Sequence, residues 1–307
     1  MYALPGKITT ITVVIASLLL PGLAQADVKA CFNFLEAQDY SHAASEAKQL
    51  LQNRNLERTE ERYAQLCLGR AYDGMGRAKD ALPALQRVEA LSQTTEELAA
   101  AYSWLGSAYD SLHDLDRAEL YHQRDLKARR ELGDKVREAT AMYNLAKIAD
   151  HRGDTERALQ LYREALAILP EAKQAATLSN IALIHAGRKE YQQAITLLRQ
   201  AIDIDRRNGD SHQTAMLQIN LGGTLRGDKQ YTAAEKELLA GLNALHLVGD
   251  KRWEASACES LAALAVDAKS KPQALGWGEW NQKAEALYRE IGGTASADKI
   301  ANLLAGK

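Results

Sequence analysis

Residues 135–170 read KVREATAMYNLAKIADHRGDTERALQLYREALAILP, and this stretch decides the fold. From Lys135 to Asp150 the apolar residues Ala139, Met142, Leu145, Ala146 and Ala149 recur at helical spacing. Gly153-Asp154 interrupts them with a turn. Glu156 to Ile168 then reads as a second helix, stopped by Pro170. Two residues matter most in this helix-turn-helix unit: Ala146, behind the anchor Leu145, and Ala158, twelve positions later. Small side chains there let two antiparallel helices approach where larger ones would hold them apart.

The same pattern recurs on both sides. Its copies are Leu68-Gly69 with Ala81, Leu105-Gly106 with Ala118, Ile181-Ala182 with Ala194, Leu221-Gly222 with Ala234, and Leu261-Ala262 with Ala274. Successive anchors are 37, 40, 36, 40 and 40 residues apart. A period of this length means stacked supersecondary units rather than one globular core. The expected fold is all-α, a right-handed α-solenoid of about six clear repeats plus one degenerate N-terminal repeat. Independent punctuation supports the register: Leu132-Gly133-Asp134, Asn208-Gly209-Asp210, Val248-Gly249-Asp250 and Ile291-Gly292-Gly293 all read as helix ends, where glycine tolerates a left-handed conformation.

These units resemble tetratricopeptide repeats. Leu105-Gly106, Tyr109, Ala118 and Tyr121, and then Leu145-Ala146, Gly153-Asp154, Ala158, Tyr162, Ala165 and Pro170, match that family's pattern. The 40-residue units ending in Leu-Gly-Asp are similar to the longer variant found in kinesin light chain and related cargo- and peptide-binding scaffolds. The resemblance covers residues 57–292. It implies a binding scaffold and says almost nothing about the ligand.

Outside that span, residues 1–26 read as a secretory signal: Lys7, an apolar or hydroxylic run from Ile8 to Leu20, Pro21-Gly22, then Ala24-Gln25-Ala26 with cleavage after Ala26. The run of about 13 residues falls short of the roughly 17 needed to span a bilayer. A retained anchor and a lipoprotein ending its signal at Cys31 are the alternatives, and Lys29 beside that cysteine argues against the second. The expected location is periplasmic or secreted, with no stable membrane span after cleavage. In an oxidising compartment Cys31 and Cys67, 36 residues apart, are either a disulfide stapling the first repeat to the second or two buried thiols; Cys258 has no obvious partner. Residues 27–56 read as a degenerate first repeat acting as N-terminal cap. Residues 293–307 read as a capping helix in which Ile300, Leu303 and Leu304 cover the exposed end of the stack. Trp277 and Trp280, placed in an unusually long last second helix, serve either that capping or a partner-docking patch.

Chemistry for catalysis is not visible. A formal net charge of −2 with mixed signs gives no bias toward nucleic acid. No metalloprotease motif, paired-cysteine motif, phosphate loop or nucleophile elbow occurs, and the seven histidines are scattered as surface or half-buried residues. No enzyme activity, cofactor or metal is expected.

The better candidate is the concave groove lined by the first helices. Just before successive anchors stand Cys67, Trp104, Asn144, Asn180, Asn220 and Ser260. Three consecutive asparagines offer a donor and an acceptor each, able to hydrogen-bond the backbone of an extended peptide; satisfying neighbouring helices is their alternative use. Two and five residues after the anchors come Arg70 and Lys147, then Asp73, Asp110, Asp150 and Arg226, with Tyr143 two before its anchor. In the C-terminal half the face reads as more apolar, through Leu183, Ala186 and Ile219. The expected function is a non-enzymatic exported scaffold binding a peptide or partner protein in this groove. The rival is a structural subunit of an envelope complex (secretion, pilus or polysaccharide export) using its convex face or its tryptophan end. Oligomeric state is left open.

Overall fold

Close approach of paired helices follows from the small residues. The computed structural model describes residues 23–267 and 276–305, with side chains from residue 28 onward. Among the described residues there are fifteen α-helices, one 3-10 turn and no strand. The chain divides into two compact units at Ile168/Leu169.

The first unit holds four antiparallel pairs: α1 (Leu23–Glu36) with α2 (Tyr40–Leu50), α3 (Arg58–Gly74) with α4 (Ala78–Leu91), α5 (Thr95–Ser111) with α6 (Leu115–Leu132), and α7 (Lys135–His151) with α8 (Thr155–Ile168). The second unit begins at Leu169, and its first element, after Pro170, is the 3-10 turn Glu171–Lys173. It continues with α9 (Ala175–Gly187) and α10 (Tyr191–Asn208), α11 (Ser211–Gly227) and α12 (Tyr231–Val248), and α13 (Lys251–Asp267) and α14 (Trp277–Glu290), and ends with α15 (Thr294–Ala305) packed on α14. The stretch 57–292, legible as one run of repeats, is thus distributed over two units.

Ala43, Ala81, Ala118, Ala158, Ala194 and Ala234 are each the fourth residue of their second helix and are fully buried. Facing them, a Cβ on Gly222 would lie 2.5 Å from Leu238 Cγ, and one on Gly106 would lie 2.6 Å from the His122 ring, so neither position accepts a side chain without movement. The Gly-Asp pairs divide their work. Gly133, Gly209 and Gly249 take φ of 69°, 74° and 71° and end their helices. Asp134, Asp210 and Asp250 then accept the backbone N–H of Arg137, Gln213 and Trp253 and start the next ones.

The last pair departs from the reading. Ala274 lies outside the described residues, as do residues 1–22 of the signal segment. α14 has 14 residues, so it is not unusually long. Its fourth residue is Trp280, 4% exposed, and Ala284 follows four positions on, where other second helices carry Leu85, Leu198 or Leu238. Large and small side chains are thus exchanged between these two positions of α14. On α15, Ile300 is buried, whereas Leu303 is half exposed.

Cys31 and Cys67 form a disulfide with a Cα–Cα distance of 6.4 Å, fastening α1 to α3. Cys258 is a buried free thiol, and its burial pushes the thiol up to about 11, which makes it a packing residue rather than a nucleophile.

Candidate binding face

The positions of a first helix sort by the direction in which the helix turns them. Two residues before the anchor the side chain faces the repeat's own second helix. Ile219 lies where a Cβ on Gly241 of α12 would touch it, Glu259 accepts a hydrogen bond from the Tyr288 hydroxyl at 3.0 Å, and Tyr143 meets the Tyr162 ring edge-on at a centroid distance of 5.6 Å. Tyr143 and Ile219 therefore belong to intra-repeat packing. Ile219 is buried and so is closed to a groove, contrary to the expectation from the sequence, whereas Tyr143 is half-buried.

The remaining positions come together on α3, α5 and α7 of the first unit. Arg70 of α3 holds its guanidinium over the Phe32 ring (5.5 Å to the centroid) and over the Trp104 ring of α5 (4.9 Å). Lys147 of α7 donates to Asp110 of α5 at 3.2 Å, and His151, one turn further on, pairs with the other Asp110 oxygen at 3.2 Å. Burial works to raise the Asp110 carboxyl, but the bonds from His151 and Lys147 and their charge together hold it down at about 2. Asp73 stands one turn from Arg70 and feels Asp110 and Lys147; burial first, then the Asp110 charge, lifts it to about 6 against the pull of Lys147. Asp150 is exposed at the end of α7.

The asparagines separate. Asn144 of the first unit is only 7% exposed, so it offers little to a ligand. In the second unit Asn180 and Asn220 occupy the same position on α9 and α11 and are half-buried. Arg226 of α11 pairs with Asp267 of α13 at 3.6 Å. Asp110–His151 and Arg226–Asp267 obey one rule: the residue five after an anchor meets the residue six after the next. His151 and Asp267 are thus face residues that the sequence reading missed, although they lie one position beyond those it selected. Trp280 is buried and carries no exposed docking patch; Trp277 is half-buried.

One histidine is misplaced by the sequence reading. His122 stands four residues after Ala118, the slot of Leu85 and Leu238, and is 2% exposed. Its Nδ1 has no hydrogen-bond partner, and burial lowers the imidazole to about 4, with Lys147 acting in the same direction and Asp110 opposing. Among the described residues no group of His, Cys, Asp and Glu could hold a metal ion, and no helix is long and apolar enough to cross a membrane.

Paired antiparallel helices with a polar, aromatic first-helix face define an all-α helical-repeat scaffold. The tetratricopeptide repeat model matches residues 97–171 and 173–246, so the chain carries tetratricopeptide repeats over that span. In fold it is similar to the apo form of the quorum sensor NprR from B. thuringiensis, with a TM-score of 0.73 and 17% identity over 92% of this chain and 81% of that one. It is also similar to a Rap protein solved in complex with competence and sporulation factor (TM-score 0.58, 12% identity, 92% of this chain and 96% of that one). A putative kinesin light chain with nearly identical repeats from Podosopora anserina matches 64% of this chain and all of its own length, with a TM-score of 0.50 and 18% identity.

Proposed function

We propose that the chain is an exported, non-enzymatic scaffold that holds an extended peptide, or an extended segment of a partner protein, along the first-helix face of its first unit. The observation that carries this reading is the line Arg70–Trp104–Asp110–Lys147–His151, in which long polar side chains are immobilised by rings and by each other. Side chains ordered in advance lose less entropy when a ligand arrives. The fold likeness to a Rap protein that holds competence and sporulation factor lends support by analogy. The half-buried Asn180 and Asn220 supply donors and acceptors of the same kind on the second unit. Export is supported by the signal-like residues 1–26 and by the Cys31–Cys67 disulfide, a bond that persists in oxidising compartments. Cleavage after Ala26 leaves Cys31 in place.

Site-specific photo-crosslinking in cells tests the reading without disturbing the face. A crosslinking amino acid is placed at Ser111 or Asp150, exposed at the ends of α5 and α7, and for comparison at Gln123 or Lys127, exposed on α6. The proposal expects one partner captured from Ser111 and Asp150 and absent from the α6 positions. Capture only from α6 would transfer function to the second-helix surface and favour a subunit of an envelope assembly.

A further inference from the structure

Two charges on α3 are left without partners by the network around them. Among the described residues the Arg70 guanidinium stacks on Phe32 and Trp104 and has no carboxylate within ion-pair distance; burial works against its charge, and only the more distant Glu36 carboxylate favours it. Asp73, three residues on, has no cation within that distance either among the described residues: Lys147 and His151 are both committed to Asp110, and Arg70 is held against the rings. Neither group is sealed off, since both residues are half-buried. Both therefore open onto the face. Keeping an unpaired cation and an unpaired anion one turn apart in a partly desolvated surface opposes folding, and such groups gain most from a ligand that completes them.

We infer that Arg70 and Asp73 form a two-point charge reader for an extended peptide carrying an acidic and a basic side chain two residues apart, the carboxylate on Arg70 and the cation on Asp73. The spacing supports this pattern. Positions i and i+3 of a helix lie about 5–6 Å apart, and alternate residues of an extended chain, on one side of it, lie about 6.6 Å apart. The edges of a guanidinium whose face is occupied by rings remain available to a planar carboxylate in the bidentate manner. A uniformly acidic or uniformly basic segment would satisfy one group and confront the other with a like charge. This inference rests on the peptide-binding reading above and adds the charge pattern of the ligand.

The test uses the full mature chain and immobilised extended peptides that share a neutral frame and differ at two positions: Glu-x-Lys, Glu-x-Glu, Lys-x-Lys and Gln-x-Gln. Wild type is expected to bind Glu-x-Lys at least tenfold more tightly than the other three. Asp73→Asn should erase the preference for Lys and keep that for Glu, Arg70→Gln should do the reverse, and Asp73→Glu should restore part of the Lys preference. Unfolding of each variant, followed by circular dichroism, shows that the stack survives. Equal binding of all four peptides, displaced by a crosslinked partner segment, would overturn the charge reader and leave the peptide groove standing. Binding of none, with the crosslinked partner segment failing to bind as well, would overturn both.

Discussion

Asp73 shows how one residue serves opposite demands. Its carboxyl is raised to about 6 by burial, so its ionised form opposes folding at neutral pH. Because the folded value lies above the unfolded one, this penalty is absent below about pH 4 and complete above about pH 6. Asp73→Asn is therefore expected to stabilise the protein by about 1–2 kcal/mol at pH 7.5, allowing for screening by solvent, and by nothing measurable at pH 3.5; denaturant melts at the two pH values check this. A variant that folds better while reading ligand charge worse is the trade expected of a binding residue. His122 makes a second prediction at this scale. His122→Leu fills the slot with the side chain found at Leu85 and Leu238 and removes an unsatisfied ring nitrogen. It should stabilise by about 1 kcal/mol at neutral pH and by more at pH 5, where the wild-type unfolded chain takes up a proton that the folded imidazole refuses. The turns add a third. Lys229 holds φ at 63° where the equivalent turn residues elsewhere are Gly76 and Gly153. Lys229→Gly should raise stability by about 1 kcal/mol, measured by the same melts, and an unchanged midpoint would contradict it.

The helix pair shows what a sequence makes legible. Gly69, Ala146 and Ala158 are readable because close helix approach accepts almost nothing else. The Gly133-Asp134, Gly209-Asp210 and Gly249-Asp250 ends are readable because a left-handed cap and an N-cap each demand few residue types. The pairing of Asp110 with Lys147 and His151 was not readable. The partners lie 37 and 41 residues away, and the stacking of successive first helices alone decides which of them meet. Trp280 was legible only as one of two readings, capping and packing or a docking patch; its burial fits the first, and its place as the fourth residue of α14 shows only once the start of that helix is known. For the first pair, the disulfide closes a loop of 36 residues between α1 and α3. Its loss through Cys31→Ala with Cys67→Ala should cost about 3–4 kcal/mol, and hydrogen exchange should show α1 and α2 opening before α5 and α7. Uniform loss of protection across the first unit would contradict the idea that the bond secures a terminal pair.

At the scale of the whole molecule, buried ionisable groups set the acid response. Asp73, Asp125 and Asp205 are each raised to about 6, chiefly by burial, so between about pH 4 and 6 the folded chain holds protons that the unfolded chain has released. His122 counts the other way by one. Asp110, held at about 2, contributes stability that is lost only as pH falls below about 4. The melting temperature should therefore be higher at pH 5 than at pH 7.5 and fall below pH 4; a steady decline from pH 7.5 to 5 would show the histidine outweighing the carboxyls. Ligand binding is assigned to the face shared by α3, α5 and α7. Hydrogen–deuterium exchange of the mature protein, with and without the partner segment captured by crosslinking, tests it most directly. Added protection is expected around residues 66–75, 103–112 and 143–152, with α4, α6 and α8 unchanged. Protection confined to α4, α6 and α8 would contradict it.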